Sequence, residues 1–274
     1  MNAIITLTTD FGLTDAYVAA MKGVILGINP DAKIVDICHS ITPQNIDEAA
    51  FVLGSAYQFF PERTIHLVVV DPGVGTGRQA VVLRTPRFDF VAPDNGVLSG
   101  VVEPFLKERL HPEQRQISPP PALKAVSLTN PGFWRSPVSP TFHGRDIFAP
   151  VAAWLSLGTS LEKFGVVADS ITVLPEQRPH QESEETLVGR IVHIDHFGNL
   201  ITNFKREDLP AKPFIIEAGQ SLIPQVSRTY GEGEGLLALI GSSGRLEIAM
   251  KGGSARDFLG AAVGGEVKIR LVKR

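Results

Sequence analysis

The feature that most limits how this chain can fold is a change of rhythm along it. In the first part, apolar strand-like runs alternate with stretches of helical period. "AIITLTT" (3 to 9), "KIVDIC" (33 to 38), "TIHLVVV" (64 to 70), "AVVLRT" (80 to 85) and "FDFVAP" (88 to 93) are the runs. Between them, "DAYVAAMKGVILGINP" carries helical periodicity until Asn29-Pro30 stops it. Ile46, Ala49, Ala50, Leu53, Ala56, Tyr57 and Phe60 form a second amphipathic stripe, expected to be capped by Thr42-Pro43 and ended by Pro61. This alternation implies an α/β layer around a largely parallel sheet.

Later in the chain the texture changes. Residues 117 to 141 hold six prolines and are expected to form a long ordered loop or lid without regular structure. "PEQRPHQESEE" (175 to 185) reads as a polar linker, and beyond it helical periodicity vanishes. "TLVGRIVHID", "FIIEA", "LLALIG", "RLEIAM" and "EVKIRLV" are short strands between glycine turns, the pattern of a small all-β barrel or sandwich. The expected organisation is an N-terminal α/β domain over 1–174 and a smaller C-terminal β-barrel domain over 175–274, with no internal repeat.

Bulk properties narrow the function. With 274 residues, 43% apolar and 20% charged, the chain is long enough for a substantial core and is not of disordered composition. A net charge of -3 argues against a general nucleic-acid binder. The single cysteine, Cys38, permits neither an internal disulfide nor a cysteine zinc cluster. No apolar run approaches the ~18 residues that span a bilayer, and "MNAIITLTTDFG" lacks the basic start of a signal peptide. A cytoplasmic protein with neither membrane nor nucleic-acid partner is expected.

The stretch "VVVDPGVGTGR" places Gly73, Gly75 and Gly77 behind an apolar strand. A dinucleotide fingerprint needs its glycines to open a helix, whereas these lead into the strand "RQAVVLRT". A P-loop would need Gly-Lys-Ser/Thr, which is missing. Asp-Pro-Gly is expected to be a tight turn with glycine at positive φ, and this leaves Asp71 unexplained. Asp71 ends a strand at the edge where α/β folds bind ligands, and Asp10 in "TTDFG" is placed likewise. Asp10 reads either as a helix cap or as an acceptor for vicinal ribose hydroxyls. Asn95-Gly96 in "APDNGVL" reads as a turn, with a helix following Asp94.

In "TFHGRDIFAP", His143 is the candidate proton acceptor, since imidazole titrates near neutrality. Asp146 could cap the following segment, with Arg145 a solvated partner. "VHIDHFGNLITN" offers His193, Asp195 and His196, but strand alternation sets His196 on the other face and no third ligand is evident. Asn199 reads as a left-handed turn residue or as an amide reading a base edge. Ser242 and Ser243 turn a hairpin in "ALIGSSGRLEIA", or bind a carboxylate through their hydroxyls and backbone N–H groups.

Together "TTDFG", "DPGVGTGR", "APDNGVL", "TFHGRDIFAP", "IDHFGNLITN" and "TYGEGEGLLALIGSSGRLEIA", in this order over nearly the whole chain, closely resemble one family. It is the S-adenosylmethionine hydroxide adenosyltransferases, relatives of the fluorinating and chlorinating adenosylmethionine enzymes. The resemblance implies hydrolysis of S-adenosyl-L-methionine to adenosine and L-methionine without a metal or other cofactor. It also implies a homotrimer with sites between one subunit's N-terminal domain and its neighbour's C-terminal domain. The family's Asp–Arg–His set falls on Asp71, Arg78 and His143, and Asp10 matches the ribose-binding carboxylate. Asn199 and Tyr230 match adenine contacts; Asp15, Asp195, Ser242 and Ser243 match the methionine end. Gly144 stands where the fluorinating relative has a halide-contacting serine, and Asp71 and His143 are kept where halide users replace them. The expected nucleophile is therefore water. The rival readings are a halide-dependent adenosyltransferase, a non-catalytic adenosine or S-adenosylmethionine binding module, and a metal hydrolase on His193, Asp195 and His196.

Overall fold

The structure, a computed structural model, describes residues 3–108, 110–111, 113–175 and 177–272. The chain divides into two compact units, Met1–Pro175 and Glu176–Arg274. Among the described residues no helix is long and apolar enough to cross a membrane.

In the first unit β1 (Ile4–Thr9), α1 (Tyr17–Ile28), β2 (Lys33–Cys38), α2 (Ile46–Ala56), β3 (Ile65–Val69), β4 (Ala80–Arg84) and β5 (Asp89–Pro93) come first. They are followed by α3 (Ser99–Val102), β6 (Gln116–Ile117), β7 (Lys124–Leu128), α4 (Ala149–Ser156), β8 (Gly165–Val167) and β9 (Ile171–Thr172). Seven of the strands form one sheet in the order β2-β1-β3-β5-β4-β7-β8. The first four pair in parallel. The rest are antiparallel, because β4 reaches β5 through a tight Thr85–Phe88 turn with no room for a crossover.

The sheet is covered on both faces, so β3 is buried throughout. Val68 and Phe90 face Leu53 of α2 and Val101 of α3. Leu67 and Val69 face Met21 and Ile25 of α1 and Val151 of α4. This α/β layer is the one the alternating rhythm implies. Its register sets the carboxyl ends of β1, β3 and β5 at one edge, with the start of β4 and the end of β7 beside them.

Several local expectations change. The cap of α2 is Asn45, whose side chain accepts from the Glu48 N–H at 3.0 Å, not Thr42. Gln44, at φ 67°, separates Pro43 from the helix. The helix gives way at Ala56 to a 3-10 turn over Tyr57–Phe59 before Pro61. The 117–141 stretch is not structureless. Between its proline groups, Lys124–Leu128 is proline-free and buries Ala125, Val126 and Leu128 as β7. In the expected linker, His180–Ser183 pairs with the strand after it; Glu176 lies outside the described residues.

The second unit contains β10 (His180–Ser183), β11 (Thr186–Ile194), β12 (Leu200–Lys205), β13 (Phe214–Ala218) and β14 (Ser221–Ile223). Then come β15 (Val226–Ser227), β16 (Leu236–Ile240), β17 (Arg245–Met250), a short α5 (Ala255–Leu259) and β18 (Glu266–Leu271). Their order is β14-β13-β18-β11-β12-β17-β16-β15, with β10 beside β11. β14 returns against β16, so the sheet curls nearly closed, like a barrel. Phe204, Ile216, Leu246, Ile248, Val267 and Ile269 fill it.

One glycine lets the first unit's edge assemble. The turn after β3 closes as expected, the Val74 N–H donating to the Asp71 carbonyl at 3.1 Å. The positive φ, however, falls at Gly75 (φ 75°) and not at Gly73. A Cβ on Gly75 would run into the Pro140 carbonyl oxygen, so glycine is what lets this turn lie against the segment leading to His143. Gly75→Ala is expected to lose roughly 1–3 kcal/mol of stability in urea titration, the usual cost of a strained backbone. An unchanged midpoint would show that the two segments do not touch.

Candidate functional site

Asp71, Arg78 and His143 come together at the carboxyl edge of the first unit's sheet. Asp71 follows β3, and its place is fixed from beside: the Asn95 amide donates to the Val70 carbonyl at 2.9 Å. The 71–78 turn then brings Arg78 back over it. Arg78 Nε donates to Asp71 Oδ1 at 2.7 Å, and Nη2 donates to Asp71 Oδ2. The same Nη2 donates to His143 Nδ1 at 3.0 Å. Asp71 thus reaches the imidazole through the guanidinium. The Arg78 guanidinium also lies 5.1 Å above the Phe148 ring. The side chains of Asp71 and Arg78 are only 5% and 12% exposed.

This geometry fixes the tautomer of His143. A guanidinium only donates, so Nδ1 accepts and the hydrogen of the neutral ring sits on Nε2. Burial, reinforced by the Arg78 charge, lowers the His143 pKa from its ordinary value. The imidazole is therefore neutral near pH 7, and the trio carries no net charge.

His143 begins a π-helical turn, Gly144–Phe148, that runs into α4. Asp146 does not cap it. It is fully buried and accepts from Arg145 Nε and Nη2, both at 2.7 Å, from Arg135 Nη1 at 3.0 Å and from the Ser139 N–H at 2.9 Å. Burial alone would raise its pKa; the arginines and the Ser139 N–H outweigh that and lower it. Asp146 thereby ties the 135–139 segment to the turn that carries His143. Gly144 is buried, and a Cβ there would lie 3.2 Å from Phe142 Cε2, 3.3 Å from Met21 Sδ and 3.3 Å from Val69 Cγ1. Phe142 packs with Phe11 and Tyr17, ring centroids 5.1–5.8 Å apart, which lines this edge with apolar surface.

Asp10, at the end of β1, caps nothing in its own helix, for α1 starts at Tyr17 after Ala16. Its Oδ2 accepts from the Gln44 N–H at 2.8 Å, and the positive φ of Gln44 belongs to that turn. His39 steadies the Asp10 turn: its Nδ1 lies 2.8 Å from Thr9 Oγ1, and its carbonyl accepts from the Gly12 N–H at 2.7 Å. Asp15 is exposed nearby in sequence. Asp94, expected to precede a helix, accepts instead from the Thr172 N–H at 2.7 Å, and the next helix is α3.

The second unit holds the other named residues. Asp195 Oδ1 accepts from the Phe197 and Asn199 N–H groups, both at 2.9 Å, and its Oδ2 accepts from the Asn199 amide at 2.9 Å. Gly198 supplies the positive φ (83°) of that turn. Asn199 is therefore not the left-handed residue, and its buried amide is held in one orientation. Ser242 and Ser243 are exposed in the β16–β17 hairpin, where Gly244 has φ 74°. Tyr230, half exposed, donates its hydroxyl to Glu247 Oε1 at 2.6 Å. Glu247 is buried in β17. Burial and the Asp195 charge raise its pKa. Sequence reading missed Glu247 and Asn95. A charged residue inside the apolar run "RLEIAM" was the available signal for the first; Asn95 looked like any turn residue.

Comparison with known proteins gives a consistent picture. Family models described as SAM hydroxide adenosyltransferase N-terminal domain and C-terminal domain match residues 5–165 and 189–268. A Thermus thermophilus protein named (R)-S-adenosyl-L-methionine hydrolase is 39% identical, covering 95% of this chain and 97% of that protein. The crystal structure of an uncharacterized conserved protein from Thermotoga maritima matches with a TM-score of 0.84 at 37% identity, over 97% of this chain and 99% of that one. A Nocardia brasiliensis protein named Fluorinase is 31% identical, over 75% of this chain and 72% of its own length.

The Tyr230–Glu247 contact makes a spectroscopic prediction. Burial first, then the Glu247 carboxylate, pushes the Tyr230 phenol up to about 12. Glu247→Gln keeps an acceptor and removes the charge, so ultraviolet titration is expected to find this phenol ionising at lower pH. An unshifted curve would show that the contact is not made in solution.

Proposed function

The chain belongs to the SAM hydroxide adenosyltransferase family, and we propose that it hydrolyses S-adenosyl-L-methionine to adenosine and L-methionine. The observation that carries this reading is the Arg78 fork, which joins an oriented cation to a neutral imidazole at one buried point. Such a pair suits the activation of water rather than the binding of a ready-made anion.

The chemistry follows from the substrate. As the water oxygen bonds to C5′, the C5′–S bond breaks and its electron pair stays on sulfur. The sulfonium thus leaves as the neutral thioether of methionine, and the nucleophile is the hard part. Water displaces the 3.0 Å hydrogen bond between Arg78 Nη2 and His143 Nδ1, accepting from the first and donating to the second. The guanidinium stabilises its hydroxide character while Nδ1 takes the proton. Asp71 holds the guanidinium in place and balances its charge, so the neutral trio does not repel the sulfonium. Apolar surface from Phe11, Tyr17 and Phe142 keeps bulk water away, and hydroxide meeting a cation is favoured where water is excluded. No cofactor is called for.

The remaining residues hold the substrate. Asp10 accepts from the ribose hydroxyls, and Asp15, Asp195, Ser242 and Ser243 take the methionine end. Asn199 reads the adenine edge, and Tyr230, tethered by its hydroxyl to Glu247, stacks on the base. The assembly is a homotrimer in which one subunit's trio, Asp10 and Asp15 meet the neighbour's Asp195, Asn199, Tyr230, Ser242 and Ser243. The halide reading is disfavoured by Gly144, which lies too close to Phe142, Met21 and Val69 for a side chain to enter freely.

Purified protein is expected to release adenosine and methionine in equal amounts, unaffected by added chloride. His143→Ala is expected to lower kcat by about 10²–10⁴-fold, the usual worth of a positioned base. Because His143 works when neutral and its pKa is lowered, the acid limb of kcat/KM falls below the ordinary imidazole value of about 6.5. Arg78→Met removes a charge that disfavours imidazolium, so the residual acid limb moves up in pH. Turnover indifferent to all three trio substitutions, or ligand binding with no methionine released, would end the hydrolytic reading.

A further inference from the structure

A cavity of about 320 Å³ opens beside the trio, lined by Arg78 and His143 and by Gln79, Ser127, Trp134 and Val138 among others. It lies away from Asp10. Asp10 follows β1, whereas the cavity's Gln79 and Ser127 walls belong to the start of β4 and to β7, with β3 and β5 between. The trio therefore separates the cavity from the Asp10 turn.

We infer that this cavity is the water reservoir of the reaction, delivering the nucleophile to Arg78 and His143 from the side away from the ribose. The inference rests on the hydrolytic reading above. A substrate seated on Asp10 and closed over by the adenine and methionine contacts shuts off the front of the site. The next turnover then needs water from elsewhere, and the cavity is the space that touches both groups activating it. Its lining is largely apolar, from Ala80, Leu128, Val138 and Ile147, but polar groups face it at several points. Trp134 buries its indole N–H with no partner among the described residues. Ser127 donates to the Gln79 amide oxygen at 2.6 Å, which leaves the Gln79 amide hydrogens as donors. His143 Nε2–H and the guanidinium add further donors. A water needs two to four polar partners and roughly 30 Å³, so a cavity of this size has room for several beside these donors. The Val138 wall is tied to the turn carrying His143, because Asp146 bonds Arg135 and the Ser139 N–H on either side of Val138.

Filling the cavity tests this. Val138 is 36% exposed, so Val138→Trp adds bulk at a tolerant position. Trp134→Phe removes the unpartnered donor with little change of shape. Both variants would be checked for folding by thermal melting and assayed for kcat and KM with S-adenosyl-L-methionine. A fall in kcat of about tenfold or more in Val138→Trp, with a smaller fall in Trp134→Phe and KM unchanged in both, is the expected result. Full kcat in the folded variants overturns the inference. So does a rise in KM, which would mean that the cavity holds part of the substrate. Should Val138→Trp not fold, Trp134→Phe alone decides in the same terms. Wild-type protein that turns over no substrate would sink the hydrolytic reading instead, and the two failures are distinct.

Discussion

The edge of the first sheet is organised by one arginine dividing its donors between a carboxylate and an imidazole. Arg78 cannot lose its proton and cannot accept a hydrogen bond, so its position dictates the state of both neighbours. Asp71 takes two of its forked donors, and His143 is held neutral with its lone pair facing the guanidinium. Each supporting feature serves that arrangement. Asn95 pins the strand end before Asp71, Gly75 admits the Pro140 carbonyl, and Asp146 fastens the turn carrying His143. Burial raises what is at stake, since an unpaired charge here would cost several kcal/mol.

The same geometry distinguishes two uses of one scaffold. A halide arrives already charged and must be stripped of water; a water molecule arrives neutral and must lose a proton. The proposed hydrolysis uses a cation and a base side by side, which is what Arg78 and His143 offer. Under this reading a carboxylate at Asp71 would repel a halide, whereas beside an incoming water it only balances the arginine.

Much of this was legible in the sequence where the signal was local. The apolar runs of β1 and β3 stop at Asp10 and Asp71, and the glycines after Asp71 lead into a strand, which removed the dinucleotide reading. The all-β rhythm of the tail likewise follows from glycine turns between short strands. Where the signal depended on tertiary partners, reading failed. The proline-free Lys124–Leu128 strand was hidden by the prolines around it, since β7 is stabilised by β4 and β8 rather than by its own propensity. Asp146 looked like a cap because nothing in sequence announces that Arg135 and the Ser139 N–H join Arg145 on its carboxylate. Glu247 and Asn95 escaped for the same reason: each works through a partner many residues away. That Arg78 stands between Asp71 and His143 is a matter of distances, which no spacing reveals.

The central claim is that the oxygen reaching C5′ comes from solvent, activated between Arg78 and His143. Turnover of S-adenosyl-L-methionine in ¹⁸O-enriched water, followed by mass spectrometry of the nucleoside, tests it most directly. The account predicts one heavy oxygen in the adenosine 5′-hydroxyl and none in methionine. Unlabelled adenosine, or a halogenated nucleoside in its place, would contradict it.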